Sequence, residues 1–287
     1  MKIMQKTLSK SASRRIEVIV IGIILAICTV ICIFPFLWMI STSLKSTAEA
    51  YMFPPTFIPK KPMFSNFAHG FAQADFAQFT KNTVFLSLAC TIGTVISSAF
   101  VAYGFARFKA KGSNFFFLCL MATMMLPTQV TLIPQYLLYF KLGMVDTYWP
   151  MIIPSWLGGG AFNIFLYRQF FMSLPKELNE AATIDGANSL QTFFHIILPS
   201  VKPVSMAVGV MALVYNWNDF YTPLIYLNTT SKFTLSIGLQ FLNSSMGTTK
   251  IGQMMAVALA TMIPVLVIFF VCQKYFVQGI KMSGMKS

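Results

Sequence analysis

A group of hydrogen-bonding side chains lies within a long apolar segment. It occupies residues Tyr215–Tyr221, which read Tyr-Asn-Trp-Asn-Asp-Phe-Tyr. Aromatic faces beside amide and carboxylate groups are the combination that generally binds sugars. Asp219 is the one acid well inside a long apolar segment, and a charge at the centre of a bilayer costs about 2.5 to 3.5 kcal/mol on insertion scales. We therefore predict that Tyr215, Asn216, Asn218 and Asp219 line a polar path. The alternative is that they form hydrogen bonds between helices.

A second group of residues predicts two short helices within residues 173–199. Gly186 can end the first helix in the left-handed conformation. Asn188 and Gln191, three residues apart, form a capping box for a second helix, in which apolar residues recur at spacings of 0, 3, 4 and 7. Pro199 is predicted to end that helix. The pattern indicates a compact helix, glycine turn and helix, apolar enough to need a partner surface.

Three interpretations of this loop are open from the residues alone. It could only link two larger elements, it could be a DNA-binding helix-turn-helix, or it could dock a cytoplasmic protein. With the flanking Arg168 and Lys202 included, its three basic and three acidic side chains balance to about zero net charge. Because phosphate binding requires a basic face, the nucleic-acid interpretation is disfavoured.

No other set of residues has the spacing of an enzyme or metal site. The phosphate-binding pattern G-x-x-x-x-G-K-[ST] does not occur in the chain. The two histidines, His69 and His195, are far apart in sequence, and all five cysteines fall in apolar segments without a CxxC pair. We therefore expect no catalytic residue, no metal and no cofactor held by this chain.

The elements that must position these residues are transmembrane helices. Of the 287 residues, 56% are hydrophobic and only 10% are charged, whereas soluble domains carry about 25% charge. A spanning helix needs roughly 20 mostly apolar residues. Six segments qualify: Ile16–Ile40, Val84–Ala106, Phe115–Pro134, Tyr148–Phe171, Val204–Leu227 and Ile251–Cys272.

The net charge of +13 is explained by topology. With six spans both termini lie on one side, and 14 of the 21 Lys and Arg residues fall on that side, in the amino-terminal arm, two loops and the tail. Since basic residues in short loops are retained in the cytoplasm, we predict cytoplasmic termini. The chain then divides into an arm (1–15), a six-span domain (16–276) and a tail (277–287).

The loop of residues 173–199 resembles the EAA motif of the membrane subunits of prokaryotic ABC importers. The matching residues, at the spacing of that motif, are Glu180, Ala181, Ala182, Gly186, Ile196, Leu198 and Pro199. The segments Arg168–Leu178, Tyr215–Phe220 and Val277–Lys281 are similar to the carbohydrate branch of these permeases, the MalG-like group. The resemblance covers essentially the whole chain.

This resemblance implies an all-α, MetI-like permease of the prokaryotic cytoplasmic membrane that imports a carbohydrate. The partners it implies are a second permease subunit, a cytoplasmic ATPase dimer that binds the ATP, and an external solute-binding protein. The EAA loop would couple to the ATPase, with Glu180 and Gly186 central and Asp185 beside them. We place Glu180 near the carboxyl end of its helix, where the helix dipole disfavours an acid, and therefore predict that it pairs with a cation on the ATPase.

Two details of the resemblance bear on the outer side. The polar loop Asn228–Lys250 corresponds in position to the loop that enters the binding protein in MalG-like subunits. In the best understood relatives the partner permease supplies most sugar contacts, so this chain would line the path without holding the sugar. Other functions remain as alternatives. One is an importer of a non-sugar solute such as a phosphorylated polyol. The other is an ion-coupled secondary transporter, which should show several intramembrane acids and an internal repeat.

Overall fold

The computed structural model describes residues 2–245 and 250–284, and the side chains of residues 17–242 and 250–273. Within these ranges every regular element is helical and no strand is formed. The chain divides into two compact units, one comprising Met1–Gln73 with Ser245–Ala260 and the other Ala74–Ser244 with Thr261–Ser287. The all-α class predicted from the sequence is confirmed.

The first unit contains three helices before residue 73: α1 (Lys2–Ser43), α2 (Thr47–Ala50) and α3 (Ser65–Phe71). Residues 17–35 of α1 are exposed although nearly all are apolar, as expected of a helix surrounded by lipid. The side-chain amide of Asn66 donates to the carbonyls of Ser43 (2.8 Å) and Lys45 (2.9 Å). These two carbonyl groups, at the carboxyl end of α1, thereby gain a hydrogen-bond partner. The same end is approached closely by Gly252, where a Cβ would lie 2.6 Å from the Lys45 carbonyl oxygen.

The second unit holds the remaining helices. They are α4 (Phe76–Arg107), α5 (Ser113–Thr123), α6 (Thr128–Lys141), α7 (Trp149–Trp156), α8 (Ala161–Ser173), α9 (Glu177–Ile184), α10 (Ser189–Thr192), a π-helical turn (Phe193–Ile197), α11 (Leu198–Ser200), α12 (Lys202–Asn218), α13 (Tyr221–Tyr226), a 3-10 turn (Thr230–Lys232) and α14 (Leu235–Ser245). The last helix, α15 (Ile251–Gly284), contributes to both units.

Helix α4 is the centre of the second unit and packs against α7, α8 and α12. Small residues on α4 allow these close contacts, since a Cβ on Gly93 would lie 2.5 Å from the Trp156 ring, and Ala99 and Ala102 are fully buried. The core formed around α4 contains Ala99, Ala102, Tyr103, Ile164, Tyr167, Phe171, Phe193, Ile197, Val201, Val204 and Val208. It thus joins α4 and α8 to the EAA loop and α12.

Three predicted spans are long apolar helices: they lie in α1, α4 and α15. Two bent helix pairs also pass as spans if each pair is counted once, which gives up to five. The count of six therefore stays a prediction. The predicted third span is one of these pairs, since α5 and α6 meet at 99°. Its prediction as one helix is wrong because Pro127 lacks an N–H and disfavours helical geometry in the residue before it.

The predicted fourth and fifth spans are also broken. Between α7 and α8 the backbone passes through Gly158, Gly159 and Gly160, with φ of 117°, 63° and 93°, a conformation that only glycine adopts at low cost. In the fifth, α12 ends at Asn218 and the chain resumes as α13. Single helices over Tyr148–Phe171 and Val204–Leu227 are therefore wrong.

The predicted polar loop Asn228–Lys250 contains a helix, α14, in its middle part. Leu235, Ile237 and Leu242 on this helix are buried. The apolar side chains of the segment therefore pack against the rest of the protein, although Ser236 and Asn243 lie in the same helix. Residues 246–249 of the predicted loop, and residue 1 and residues 285–287 of the predicted arm and tail, lie outside the described residues.

Candidate functional site

The EAA loop has the helix–turn–helix structure that the sequence predicts. Gly186 follows α9 with a φ of 81°. Asn188 then caps α10: its side chain accepts the Gln191 backbone N–H at 2.9 Å, and the Gln191 side chain accepts the Asn188 N–H at 2.8 Å. The glycine turn and the capping box are confirmed. The glycine turn therefore ends α9, and the capping box fixes the start of α10.

The second helix of the loop ends at Ser200, within one residue of the predicted end at Pro199. It includes a π-helical turn before α11, and the chain then bends by 82° into α12. Pro199 has no N–H to donate to the preceding turn, and a wider turn accommodates that loss. Phe193 and Ile197, both buried, anchor the widened turn in the core.

The loop is attached to the Arg107 end of α4. The Arg107 guanidinium donates to the Leu174 carbonyl at 3.0 Å, and the Asn179 side chain donates to the Tyr103 hydroxyl at 3.0 Å. Leu178, half-buried, packs on the same core. Hydrogen bonds and apolar packing therefore both connect the loop to α4.

The EAA residues divide into two groups by exposure. Ala182 is buried, and Ile196 and Leu198 are half-buried against the core. The exposed group comprises Glu180, Ala181, Asp185, Gly186 and Pro199. Three apolar side chains lie on the exposed side, Ile184 (86% exposed), Leu190 and Phe194. Leu190 and Phe194 belong to the apolar pattern from which the sequence predicted a partner surface, together with Phe193 and Ile197, which are buried. The sequence did not single out Ile184.

Glu180 lies in the first turn of α9 and not near its carboxyl end. The predicted position was wrong because the helix begins only at Glu177, after Pro175. In the first turn the helix dipole favours an acid. Glu180 lines an open cavity of about 600 Å³ together with Arg107, Lys109 and Lys176. None of these cations pairs with it, since the single ion pair among the described side chains joins Lys232 and Asp146.

A second cavity, of about 410 Å³, lies between α4, α7, α8 and α12. Its polar lining comprises Thr94, Ser155, Asn163, Tyr215 and Asn216, and the Gly159–Gly160 break forms part of its wall. A Cβ on Gly159 would lie 2.7 Å from the Thr94 carbonyl oxygen, so only glycine allows the break to sit against α4. The structure thus brings Tyr215 and Asn216 to a cavity together with residues that the sequence did not single out.

Asn218 and Asp219 do not line this cavity. The Asn218 side chain donates to the Val214 carbonyl at 2.8 Å, within its own helix. The Asp219 carboxylate accepts the Thr222 backbone N–H at 3.2 Å at the break between α12 and α13. The prediction of an acid inside a continuous helix is therefore wrong: Asp219 follows the last residue of α12, and its carboxylate accepts an N–H from the first turn of α13.

Asp146, which the sequence did not indicate, has the most extensive hydrogen bonding of any acid among the described residues. It lies between α6 and α7 with a φ of 59°. Its carboxylate oxygens lie 2.8 Å from Lys232 Nζ and 2.6 Å from the Thr229 hydroxyl. The Lys232 ammonium, the Thr229 hydroxyl and two backbone N–H groups hold the pKa of Asp146 well below its ordinary value.

Among the described residues, no group of three or more His, Cys, Asp or Glu side chains is placed to hold a metal ion.

Comparisons with known proteins agree with this structure. A family model described as binding-protein-dependent transport system inner membrane component matches residues 93–282. The chain is 32% identical over 259 residues to the arabinooligosaccharides transport system permease protein AraQ of Halalkalibacterium halodurans, covering 89% of this chain and 92% of that protein. It is 32% identical over 266 residues to the sn-glycerol-3-phosphate transport system permease protein UgpE of Yersinia enterocolitica, covering 90% and 94%.

A solved structure is similar over nearly the same length. It is a chain in the crystal structure of a bacterial ABC transporter involved in the import of the acidic polysaccharide alginate. The TM-score is 0.82 at 25% identity, and the match covers 92% of this chain and 98% of that chain. The permease architecture inferred from the EAA motif is therefore confirmed at the level of the fold.

Long apolar helices and a two-helix loop attached to the central helix are the features of an integral membrane permease. The chain belongs to the family of binding-protein-dependent transport system inner membrane components and is an ABC importer permease. As a member, it is a multi-pass membrane protein that works with an ATPase and a solute-binding protein. Membership also argues against the alternative of an ion-coupled secondary transporter working alone.

Proposed function

We propose that this chain is one of two permease subunits of a carbohydrate importer. It forms half of the path, while a cytoplasmic ATPase dimer binds and hydrolyses the ATP and a binding protein delivers the sugar from outside. Its two termini and the EAA loop lie in the cytoplasm of a prokaryotic cell. The distribution of Lys and Arg supports this orientation, which makes the Phe76 end of α4 external.

The observation that carries the proposal is the lining of the 410 Å³ cavity. Amides, hydroxyls and the Tyr215 ring line it together with the apolar side chains of Pro154, Phe162, Met211 and Ala212, and no Lys, Arg, Asp or Glu side chain takes part. Neutral hydrogen-bonding groups beside an aromatic face suit a neutral sugar, which offers hydroxyls and an apolar ring face. Tyr215 and Asn216 are therefore the path residues we propose. The side chains of Asn218 and Asp219 instead form hydrogen bonds with backbone groups of α12 and α13.

A phosphorylated polyol is the second candidate, because one relative is named as a glycerol-3-phosphate permease. A phosphate passing through a bilayer needs cationic or multiple N–H partners. The described lining offers no cation, and that disfavours an anionic solute. The same argument ranks an acidic polysaccharide below a neutral one.

The exposed side of the EAA loop is the proposed contact with the ATPase. Glu180, Asp185 and Gly186 present charge and a tight turn, while Ile184, Leu190 and Phe194 present apolar surface that needs covering. A cationic side chain on the partner would complement the unpaired acids, and apolar side chains on the partner would cover the exposed apolar surface.

The function is tested by uptake into reconstituted vesicles containing the complete complex and its binding protein. Arabino-oligosaccharides, alginate oligosaccharides and sn-glycerol-3-phosphate are compared with ATP inside or absent. We expect ATP- and binding-protein-dependent uptake of the neutral sugar. Uptake of glycerol phosphate alone would establish the second candidate, and failure of the chain to co-purify with any ATPase would refute both.

The path residues are tested by Asn216→Ala. Losing one neutral hydrogen bond costs about 0.5–1.5 kcal/mol, so we expect the KM for the transported sugar to rise about two- to tenfold. The matched control is Asn218→Ala, since both amides donate to their own helix but only Asn216 lines the cavity. Equal effects of the two substitutions on KM would contradict the assignment.

A further inference from the structure

The segment that follows α13 is held by side chains from two other elements. From the α6–α7 loop, the Asp146 carboxylate accepts the backbone N–H groups of Asn228 and Thr229, each at 2.9 Å, and also binds Lys232. Lys232 Nζ donates in addition to the Asp146 carbonyl at 2.6 Å. The Asp146 N–H donates to the Tyr226 carbonyl at 2.7 Å. The beginning of the segment is therefore fixed at successive residues.

Helix α4 holds the other end of the same segment. The Asn82 side chain donates to the carbonyls of Ser231 (2.8 Å) and Phe233 (2.9 Å), and the Thr83 hydroxyl accepts the Leu235 N–H at 2.8 Å. Backbone groups in an exposed loop are usually satisfied by water. Here protein side chains satisfy them, which restricts the backbone to one conformation.

Between these attachments lies a short exposed surface, Asn228–Ser231, that we call the polar corner. All four residues are exposed, whereas Phe233 and Leu235 directly after them are buried. Each of the four carries a short side chain with a hydroxyl or an amide, so the corner presents donors and acceptors from a fixed backbone. A surface already ordered before binding loses little conformational entropy on association.

We propose that Asp146 is a positioning residue that holds the polar corner as a preorganised contact surface for the solute-binding protein. The proposal rests on the proposed function, which places this side of the chain outside the cell. The occupant is a polar protein surface: the corner has no apolar side chain to enter a bilayer. The charge of Lys232, the cation beside the corner, is compensated by Asp146 at 2.8 Å, so anionic headgroups are not attracted.

The first test measures the corner itself. In the assembled complex, hydrogen exchange of the amides in residues 226–235 is compared between wild type, Asp146→Asn and Asp75→Asn. Asp75 is a matched control, because it is an exposed acid at the same end of α4 that caps only its own helix. We expect exchange at least tenfold faster in Asp146→Asn and unchanged in Asp75→Asn. Unchanged exchange in Asp146→Asn would overturn the positioning role.

The second test measures recognition. The purified solute-binding protein that supports uptake in vesicles, loaded with the sugar that is taken up, is titrated against the complex while ATP hydrolysis is followed. We expect the half-saturating concentration to rise at least fivefold in Asp146→Asn, with the rate at saturation within twofold of wild type. A faster-exchanging corner with an unchanged half-saturating concentration would overturn the docking role, and so would a fall in the saturated rate alone.

A third variant keeps the proposal testable if Asp146→Asn does not assemble. Lys232→Gln removes the ion pair but leaves Asp146 to accept the two backbone N–H groups, so smaller changes in the same direction are expected. No change in either measurement would count against the proposal. If wild type itself does not respond to the binding protein, the proposed function fails. If wild type responds to the binding protein and the variants give the same hydrogen exchange and the same half-saturating concentration as wild type, only this inference is refuted.

Discussion

At the scale of single residues, acids of the same type have different roles because their partners differ. Glu180 is exposed beside cations that do not pair with it, Asp219 accepts a backbone N–H at a helix break, and Asp146 is surrounded by four donors. The sequence singled out the first two and missed the third. Nothing in the pattern around Asp146 indicates that its partners lie more than 80 residues further along the chain.

Glu180 is predicted to contribute a charged contact to the ATPase. Glu180→Gln keeps the shape but removes the charge, and a hydrogen bond to a charged group contributes about 1.5–3 kcal/mol. We therefore expect ATPase binding to weaken by about 10- to 100-fold and ATP-driven uptake to fall with it. Titration of the purified ATPase against the permease in nanodiscs measures the affinity.

The control for this substitution is Glu177→Gln. Glu177 lies in the same first turn of α9 and is also exposed, but it does not line the basic cavity. Similar losses of ATPase affinity in both variants would indicate a general effect on helix α9 and would exclude a specific contact by Glu180.

The pH dependence of the polar corner follows from the lowered pKa of Asp146. A carboxyl whose pKa is depressed in the folded protein contributes stability above its unfolded pKa of about 3.9, and that contribution is lost as pH falls through the folded pKa. Protection of the Asn228 and Thr229 amides, corrected for intrinsic exchange rates, should therefore stay constant from pH 8 to pH 5. A loss of protection between pH 7 and pH 5 would contradict this.

At the scale of elements, the breaks between helices are as important as the helices. The Gly158–Gly160 break places part of the cavity wall against α4, and the Asp219 break ends α12 just after Asn216 and Asn218. Hydropathy predicts the length of an apolar stretch but does not detect an interruption inside it. Each interruption uses residues with a specific backbone preference, and those residues are visible in the sequence once the break is known.

Gly159→Ala tests the break. The new Cβ would lie 2.7 Å from the Thr94 carbonyl oxygen and force a φ of 63° on a residue with a side chain, a conformation that costs roughly 1–2 kcal/mol before any clash. We expect a lower melting temperature in detergent and reduced uptake. Gly104→Ala is the control, because it has open space in helix α4 and alanine is a better helix former. A normal melting temperature for Gly159→Ala would show that the break is not constrained.

At the scale of the whole molecule, function depends on orientation across the membrane. In a cysteine-free background, a cysteine at Lys111 should react with a membrane-impermeant maleimide only in inside-out vesicles. A cysteine at Thr230 should react only in right-side-out cells. Both positions are exposed, so failure to label cannot be attributed to burial. The opposite pattern would reverse the topology and place the polar corner in the cytoplasm.

The sequence by itself determined the class of protein, the lipid-facing helices and the internal structure of the EAA loop. These features depend on composition, on apolar length and on contacts between residues a few positions apart, such as the Asn188–Gln191 capping box. Local patterns are sufficient for such features because the interacting groups are neighbours in the chain.

Only the tertiary structure decided which residues meet across the fold. It brought Thr94, Ser155 and Asn163 to one cavity with Asn216, attached the EAA loop to Arg107, and placed Asp146 against Asn228 and Thr229. It also placed Glu180 in the first turn of its helix and Asp219 at the break between α12 and α13. Such contacts depend on how broken helices pack around α4. That packing cannot be predicted from the spacing of residues along one chain.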